Sequence, residues 1–217
     1  MFFWNFYALF YNKLNELIPY QEHVSNVLKL FKLESDKTYL DLGCGSGNLI
    51  QDKKNIVGVD ISTAMLGIAK KRNTSARFVA SDLNATLPFK NGAFDGGYTS
   101  NVVAYLQDPK KFFLEVQRIL KPGAEFVVAT LRPQFSPVKI LQAHIKKASL
   151  FHFLSNLVFI FIIYILNVPI TRKLKKNIYH GFEIDTLGSL VAECGFEVLD
   201  SRYTYADQDV LLLLRRK

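Results

Sequence analysis

Thr38-Tyr39-Leu40-Asp41-Leu42-Gly43-Cys44-Gly45-Ser46-Gly47-Asn48 is the stretch on which the reading of this 217-residue sequence turns. A short apolar strand runs straight into a turn with glycine at every second position. Glycines 43, 45 and 47 lack a Cβ and tolerate positive φ, so the chain can turn sharply there and its N–H groups can come close to a ligand. Read alone, the turn is either an ordinary tight turn or the cradle of a nucleotide-like cofactor, and the residues downstream decide between them.

From Lys37 onward strands and helices alternate. The pattern predicts strands over 38–42, 55–60, 76–80, 93–99 and 124–131, with a short helix over 47–53 and longer ones over 62–72 and 108–119. Such alternation builds a parallel sheet with helices on both faces, and places a cofactor at the carboxyl ends of the strands. Two helices broken by Pro19 are expected before the sheet. A helix over 184–194 and two strands, Phe196-Glu197-Val198-Leu199 and Asp209 to Leu214, are expected after it. The unbroken Val210 to Leu214 run reads as a strand buried on both faces.

The second strand, Ile56-Val57-Gly58-Val59-Asp60, ends in a carboxylate 19 residues after Asp41. An acid there lies beside the glycine turn and can accept hydrogen bonds from both hydroxyls of a ribose, or it can merely cap the helix that starts near Ser62. Ser81-Asp82-Leu83 ends the third strand with another acid, either placed for an adenine amino group or an ordinary loop residue.

These residues, in this order, resemble the class I S-adenosylmethionine-dependent methyltransferases of the type 11, ubiquinone/menaquinone-biosynthesis-like sort. The matching stretches are Leu40 to Gly47, Gly58-Val59-Asp60-Ile61-Ser62 with Met65-Leu66 and Ala69-Lys70-Lys71, and Ser81-Asp82. Leu87-Pro88-Phe89, Phe94-Asp95, Leu114 to Gly123 and Gly195-Phe196-Glu197-Val198 follow them. The resemblance implies a Rossmann-like, seven-stranded, mostly parallel sheet with an antiparallel last strand, and S-adenosylmethionine as cofactor. Carried over by position, it implies that Asp41 faces the methionine amino group, while Gly43, Cys44, Gly45 and Gly47 allow close approach. Asp60 and Ile61 would hold the ribose side, Met65 would pack under the adenine, and Ser81, Asp82 and Leu83 would meet the adenine edge. Thr99, Ser100 and Asn101 would border the methionine end. The sequence departs from the family in two places: the stretch from Gly47 to Asp60 is about one helical turn short, and Ala124 stands where a second glycine is usual.

The formal net charge is +8, and all of it sits in one segment. Residues 132–176 hold eight basic residues and no acidic one, while the rest of the chain balances 19 of each. A local anionic partner fits this distribution better than a generally basic protein. Within that segment, residues 148–170 are almost wholly apolar and as a helix would span about 33 Å, close to a bilayer's hydrocarbon core. A single crossing would strand the last two strands on the wrong side of the membrane. The run is therefore expected to be buried against the substrate pocket as a lid, against a second subunit, or in a membrane surface through residues 139–176. A plain core helix with solvated lysines is the remaining reading.

The chain is read as one domain: N-terminal helices over 1–36, a cofactor core over 37–131, a basic apolar insert over 132–180, and the last helix and strands over 181–217. Cys44 and Cys194 offer neither metal-ligand spacing nor a disulfide framework, and the aromatic N-terminus lacks the regions of a signal peptide. A cytoplasmic protein, with or without peripheral membrane contact, is expected. His180 is the first candidate for a proton acceptor and His152 the second; no Ser-His-Asp arrangement, metal cluster or phosphate loop is apparent. The expected acceptor is a small-molecule or lipid-like compound. Nucleic acid is disfavoured because the cations flank an apolar run rather than a polar, aromatic-interleaved groove. A non-catalytic cofactor binder or membrane tether, and a nicotinamide-dependent oxidoreductase, stay open as alternatives, the latter weakened by the absence of Gly-x-Gly-x-x-Gly spacing.

Overall fold

Tyr39–Leu42 forms the central strand β1, and all four of its residues are buried, as a strand covered on both faces requires. The computed structural model describes residues 17–30, 32–148, 161, 164, 165 and 167–217. Parallel to β1 run β2 (Ile56–Asp60) on one side and β4 (Phe94–Ser100) on the other. β3 (Arg77–Ala80) pairs outside β2, and β5 (Leu120–Leu131) outside β4. β7 (Asp209–Arg216) then inserts antiparallel between β5 and β6 (Phe196–Thr204). The order β3-β2-β1-β4-β5-β7-β6 is the expected seven-stranded, mostly parallel sheet. Its direction of winding reverses at β1 and β4, so a crevice opens at their carboxyl ends.

Local chemistry starts each helix where it is needed. α1 (Ile18–Leu30) buries Tyr20, His23 and Val27, a stripe at helical spacing that includes one imidazole. α2 (Thr63–Arg72) is capped by Ser62, whose side chain accepts from Met65 N. α3 (Pro109–Ile119) is capped by Asp108 and carries proline at its first position, and it packs Phe112, Phe113, Val116 and Ile119 into the core around Phe126 and Phe196. α4 (Pro137–Lys147) is tied to α1 by Ile18 N donating to His144 Nδ1 at 3.2 Å. α5 (Ile184–Glu193) follows the insert, with Glu183 N donating to Thr186 Oγ1 in its first turn. The Val210 to Leu214 run fills both faces of the sheet; Val210, Leu211, Leu212 and Leu214 are fully buried.

The short helix expected over 47–53 is not there. Residues 45–52 form turns, and Gln51 and Asp52 adopt φ of 52° and 54°. The cause is Asn73 at the end of α2: its Nδ2 donates to Gly47 O at 2.9 Å and its Oδ1 accepts from Asp52 N at 2.7 Å. That side chain takes up backbone groups that a helix would pair internally. β5 starts at Leu120, earlier than expected, because Leu120 pairs with Phe94 before the register shifts and Gly96 takes up Glu125. The first of the two N-terminal helices and most of the apolar run, His152 included, lie outside the described residues. The rest of the insert contributes α4 and helical residues 167–175. Among the described residues no helix is long and apolar enough to cross a membrane.

Candidate active site

The glycine turn is held from below by β2. Gly43 N and Cys44 N both donate to Val59 O, at 2.7 and 3.0 Å, and Gly47 N donates to Cys44 O at 2.8 Å. Gly45 N donates to Asp60 Oδ2 at 2.9 Å. The expectation that these N–H groups are presented to a ligand is corrected accordingly: all four are used inside the protein. What the turn offers is shape. At Gly43, with φ of 77°, a Cβ would lie 2.1 Å from Val102 Cγ2. At Gly47, with φ of 75°, it would lie 2.5 Å from Asn73 Nδ2.

Two carboxylates sit beside this turn. Asp41, on β1, is 1% exposed, and its Oδ2 has no hydrogen-bond partner. Burial, with the neighbouring Asp60 adding to it, pushes its carboxyl well above the usual carboxylate range. Asp60 is also raised by burial, an effect that backbone N–H groups of Ser62, Gly45 and Ile61 partly offset. Asp60 Oδ1 accepts from Ser62 N at 2.8 Å and Oδ2 from Gly45 N, and with Ile61 N–H also drawn to the carboxylate part of its acceptor capacity remains. A cation or a pair of hydroxyls suits such a site; a phosphate does not.

A cavity of about 300 Å³ opens from here, the low end of the usual range for small-molecule sites. Gly43, Gly45, Asp60, Ile61, Met65, Asp82, Leu83, Ser100 and Asn101 line it, as the sequence suggested. Asp41, Cys44, Gly47, Ser81 and Thr99 do not. Cys44 turns its buried thiol toward β2, where a Cβ on Gly58 would lie 3.0 Å from the sulfur, and burial raises that thiol well above its usual value. Thr99 is fully buried and ties β4 to β1 through Leu42 O at 2.8 Å. Ser81 N donates to Asp60 O at 3.1 Å, and Asp82 Oδ1 accepts from both the backbone and side chain of Asn84.

The rest of the lining is aromatic and aliphatic, Tyr20, Tyr105, Leu131, Phe135, Ile170 and Tyr205, and sequence reasoning singled out none of these side chains, although one reading laid the run that ends at Ile170 against the pocket. Tyr20 from α1 is linked to the turn through Asn48, whose Nδ2 donates to the phenol oxygen at 3.0 Å. Phe135 and Ile170 come from the basic insert. Tyr205 lies in the β6–β7 turn, where Tyr205, Ala206 and Asp207 all have φ between 54° and 58°, an unusual backbone for a bulky residue. Arg132 and Gln208 hold that turn through Asp207 O and Ala206 O.

Contrary to the sequence reading, a serine, a histidine and an aspartate are brought together. His23 Nε2 is hydrogen-bonded to Ser100 Oγ at 2.7 Å, while His23 Nδ1 lies 3.5 Å from Asp209 Oδ2 without a hydrogen bond between them. His23 and Asp209 are 1% and 0% exposed, while Ser100 reaches the cavity. His180 is not among the lining residues; its backbone N donates to Ala104 O at 2.9 Å, and its ring sits 6.3 Å from that of Phe182. A lone carboxylate heading the apolar Val210 to Leu214 run was the one sign in the sequence of this arrangement.

Residues 40–128 match the type 11 methyltransferase-domain family. That stretch is less than half of the chain, and it is what the chain shares with the family. The chain is 33% identical over 105 residues to the demethylmenaquinone methyltransferase of Renibacterium salmoninarum, a match covering 46% of the chain and 44% of that relative. It is 31% identical over 116 residues to the 18S rRNA (guanine(1575)-N(7))-methyltransferase of Saccharomyces cerevisiae, covering 46% and 42%. The chain thus spans under half the length of these curated relatives. A crystal structure of an S-adenosylmethionine-dependent methyltransferase from Thermotoga maritima superposes with a TM-score of 0.67 at 19% identity, covering 99% of this chain and 100% of that one, and shares the fold.

Proposed function

We propose that this chain is a methyltransferase that moves the methyl group of S-adenosylmethionine to a small apolar or amphiphilic acceptor by in-line displacement. The observation that carries the reading is one cavity with two kinds of lining. Asp60 and the Cβ-less turn supply one, and Tyr105, Leu131, Phe135 and Ile170 the other. S-adenosylmethionine, when bound, supplies a methyl group on a positively charged sulfur. Asp60 would hold the ribose hydroxyls with its remaining acceptor capacity. Asp41 would complement the amino group from beneath the turn, and Ile61, Met65, Asp82 and Leu83 would enclose the adenine. Ser100 and Asn101 would border the methionine end. The apolar wall orients the acceptor and excludes water, and positioning of this kind contributes much of the acceleration of a displacement.

The names of the relatives cover a quinone and an RNA, so the acceptor class rests on the wall of the cavity alone. The test is methyl transfer from a labelled donor into a lipid extract. Label recovered in the organic phase by the wild-type chain, and absent with Asp60→Ala, supports the reading. Donor binding without any labelled product would leave a non-catalytic binder.

A second reading concerns location. Ile145, Phe161, Tyr164 and Ile165 of the insert are exposed, and so are its Lys146, Lys175 and Lys176. We propose that these exposed residues of the insert rest against an anionic membrane surface, which is compatible with delivery of an amphiphilic acceptor. Flotation with anionic but not neutral vesicles, reversed by salt, is the expected result; equal flotation with neither contradicts it.

A further inference from the structure

The described cavity has one polar group on its wall that leads into a buried chain of proton-carrying groups. Ser100 stands at the end of β4, His23 on α1 and Asp209 at the head of β7. Three separate elements therefore converge on one imidazole. The groups that face His23 are few. Ser100 Oγ lies 2.7 Å from Nε2 and Asp209 Oδ2 lies 3.5 Å from Nδ1. The rings of Tyr205 and Tyr20 stand 5.4 and 6.1 Å away. Asn101, beside Ser100, approaches Asp209 closely enough to temper the rise in its pKa.

Resting on the methyltransferase reading above, we propose that Ser100, His23 and Asp209 form a relay that takes up the proton lost by the methyl acceptor, and that the acceptor is a hydroxyl compound. The step balances as follows. The acceptor oxygen forms a bond to the methyl carbon as the bond from that carbon to sulfur breaks, and the sulfonium becomes a neutral thioether. The acceptor's proton passes to Ser100 Oγ, whose own proton passes to His23 Nε2, leaving an imidazolium beside the Asp209 carboxylate. Water takes the proton after product leaves. Ser100 meets the acceptor; His23 and Asp209 act through it as positioning residues.

A hydroxyl fits this machinery better than an amine. A neutral amine attacks with its own lone pair and can shed its proton afterwards, whereas a hydroxyl is a poor nucleophile until its proton starts to leave. Burial lowers the His23 pKa from 6.5 to about 4, so the ring is neutral at pH 7 and keeps a lone pair. Burial also pushes Asp209 well above the usual carboxylate range. Transfer should therefore rise with pH as Asp209 loses its proton, and Asp209→Asn should remove that limb of the profile.

The relay requires a particular tautomer: the proton on Nδ1, facing Asp209, and the lone pair on Nε2, facing Ser100. Nitrogen NMR of histidine-labelled protein with S-adenosylhomocysteine bound reads this without any acceptor, and Ser100→Ala assigns the His23 signal by shifting it. Measured on the high-pH plateau of the transfer profile, where Asp209 is ionised, an Nε2-protonated ring would overturn the proposal. The second measurement is transfer of a carbon-13 methyl group into the lipid extract. Ser100→Ala should slow it about 100-fold or more, the scale of general acid–base effects. Ser100→Thr should restore most of the rate. A methyl ether is the expected product. An N-methyl or C-methyl product, or an undiminished rate with Ser100→Ala, overturns the relay while leaving methyl transfer intact. A wild-type chain that binds no S-adenosylhomocysteine, or transfers no label, sinks the methyltransferase reading and the relay with it.

Discussion

Replacing Gly43 by alanine tests the geometry of the turn at a single carbon atom. Gly43 has φ of 77°, a conformation that costs an L-residue about 1–2 kcal/mol. The added methyl would lie 2.1 Å from Val102 Cγ2 and 3.2 Å from both Val102 Cβ and Cγ1. Val102 must therefore move, and overpacking of this sort costs about 1–3 kcal/mol. Together the two effects predict a loss of about 2–5 kcal/mol in urea unfolding followed by circular dichroism. Val102→Ala in the same chain removes the closest atom but leaves the φ strain. The double variant should thus recover about 1–2 kcal/mol relative to the sum of the single changes. Gly67→Ala supplies the contrast. Gly67 lies in α2 with nothing within 4 Å of its missing Cβ, so there alanine should stabilise by about 0.5–1 kcal/mol. A Gly43→Ala chain as stable as wild type, or strict additivity with Val102→Ala, would refute the close contact on which the shape of the turn depends.

Donor binding should release protons: Asp41 and Asp60 have raised pKa values in the free protein, and a bound cation favours their charged forms. Calorimetry in buffers of different ionisation enthalpy should show this release growing as pH falls toward the carboxylate range, and its absence would remove Asp41 from the account. His23 gives a second pH effect. Its folded pKa is below its unfolded one, so its contribution is fully present above about 6.5 and is lost as pH falls through about 4, about 3 kcal/mol in all. Asp209 works in the opposite sense: its folded pKa is raised, so its contribution is present at low pH and lost as pH rises. The difference between wild type and His23→Gln should therefore steepen between pH 6.5 and 4, and a constant difference would mean that His23 is not buried as a neutral ring.

The sheet was legible because its signals are local. The all-buried β1 and the Val210 to Leu214 run announce central strands, and Ser62 and Asp108 announce the helices that follow them. Asp60 was legible as a residue of the cavity for the same reason, since it ends the strand next to the turn. What escaped was set by side chains distant in sequence. Asn73, at the end of α2, reaches back to Gly47 and Asp52 and replaces a helix with turns. The N–H groups of the glycine turn are consumed by Val59 and Asp60, which lie on the neighbouring strand. His23 looked like one more member of an N-terminal helix, and only the packing of α1 across β4 and β7 brings it to Ser100 and Asp209. The aromatic wall of the cavity escaped likewise, because Tyr20, Tyr105 and Tyr205 come from three unrelated segments.

Calorimetric titration of S-adenosylmethionine into the wild-type chain, Asp60→Asn and Asp60→Ala tests the central claim most directly. Each hydrogen bond to a charged group contributes about 1.5–3 kcal/mol, so losing the carboxylate should weaken binding at least about tenfold, with alanine worse than asparagine. One site in the wild type and that order among the variants is the result expected. Affinity unchanged in Asp60→Ala, or no binding by the wild type, would contradict the assignment of this turn and its carboxylates to the methyl donor.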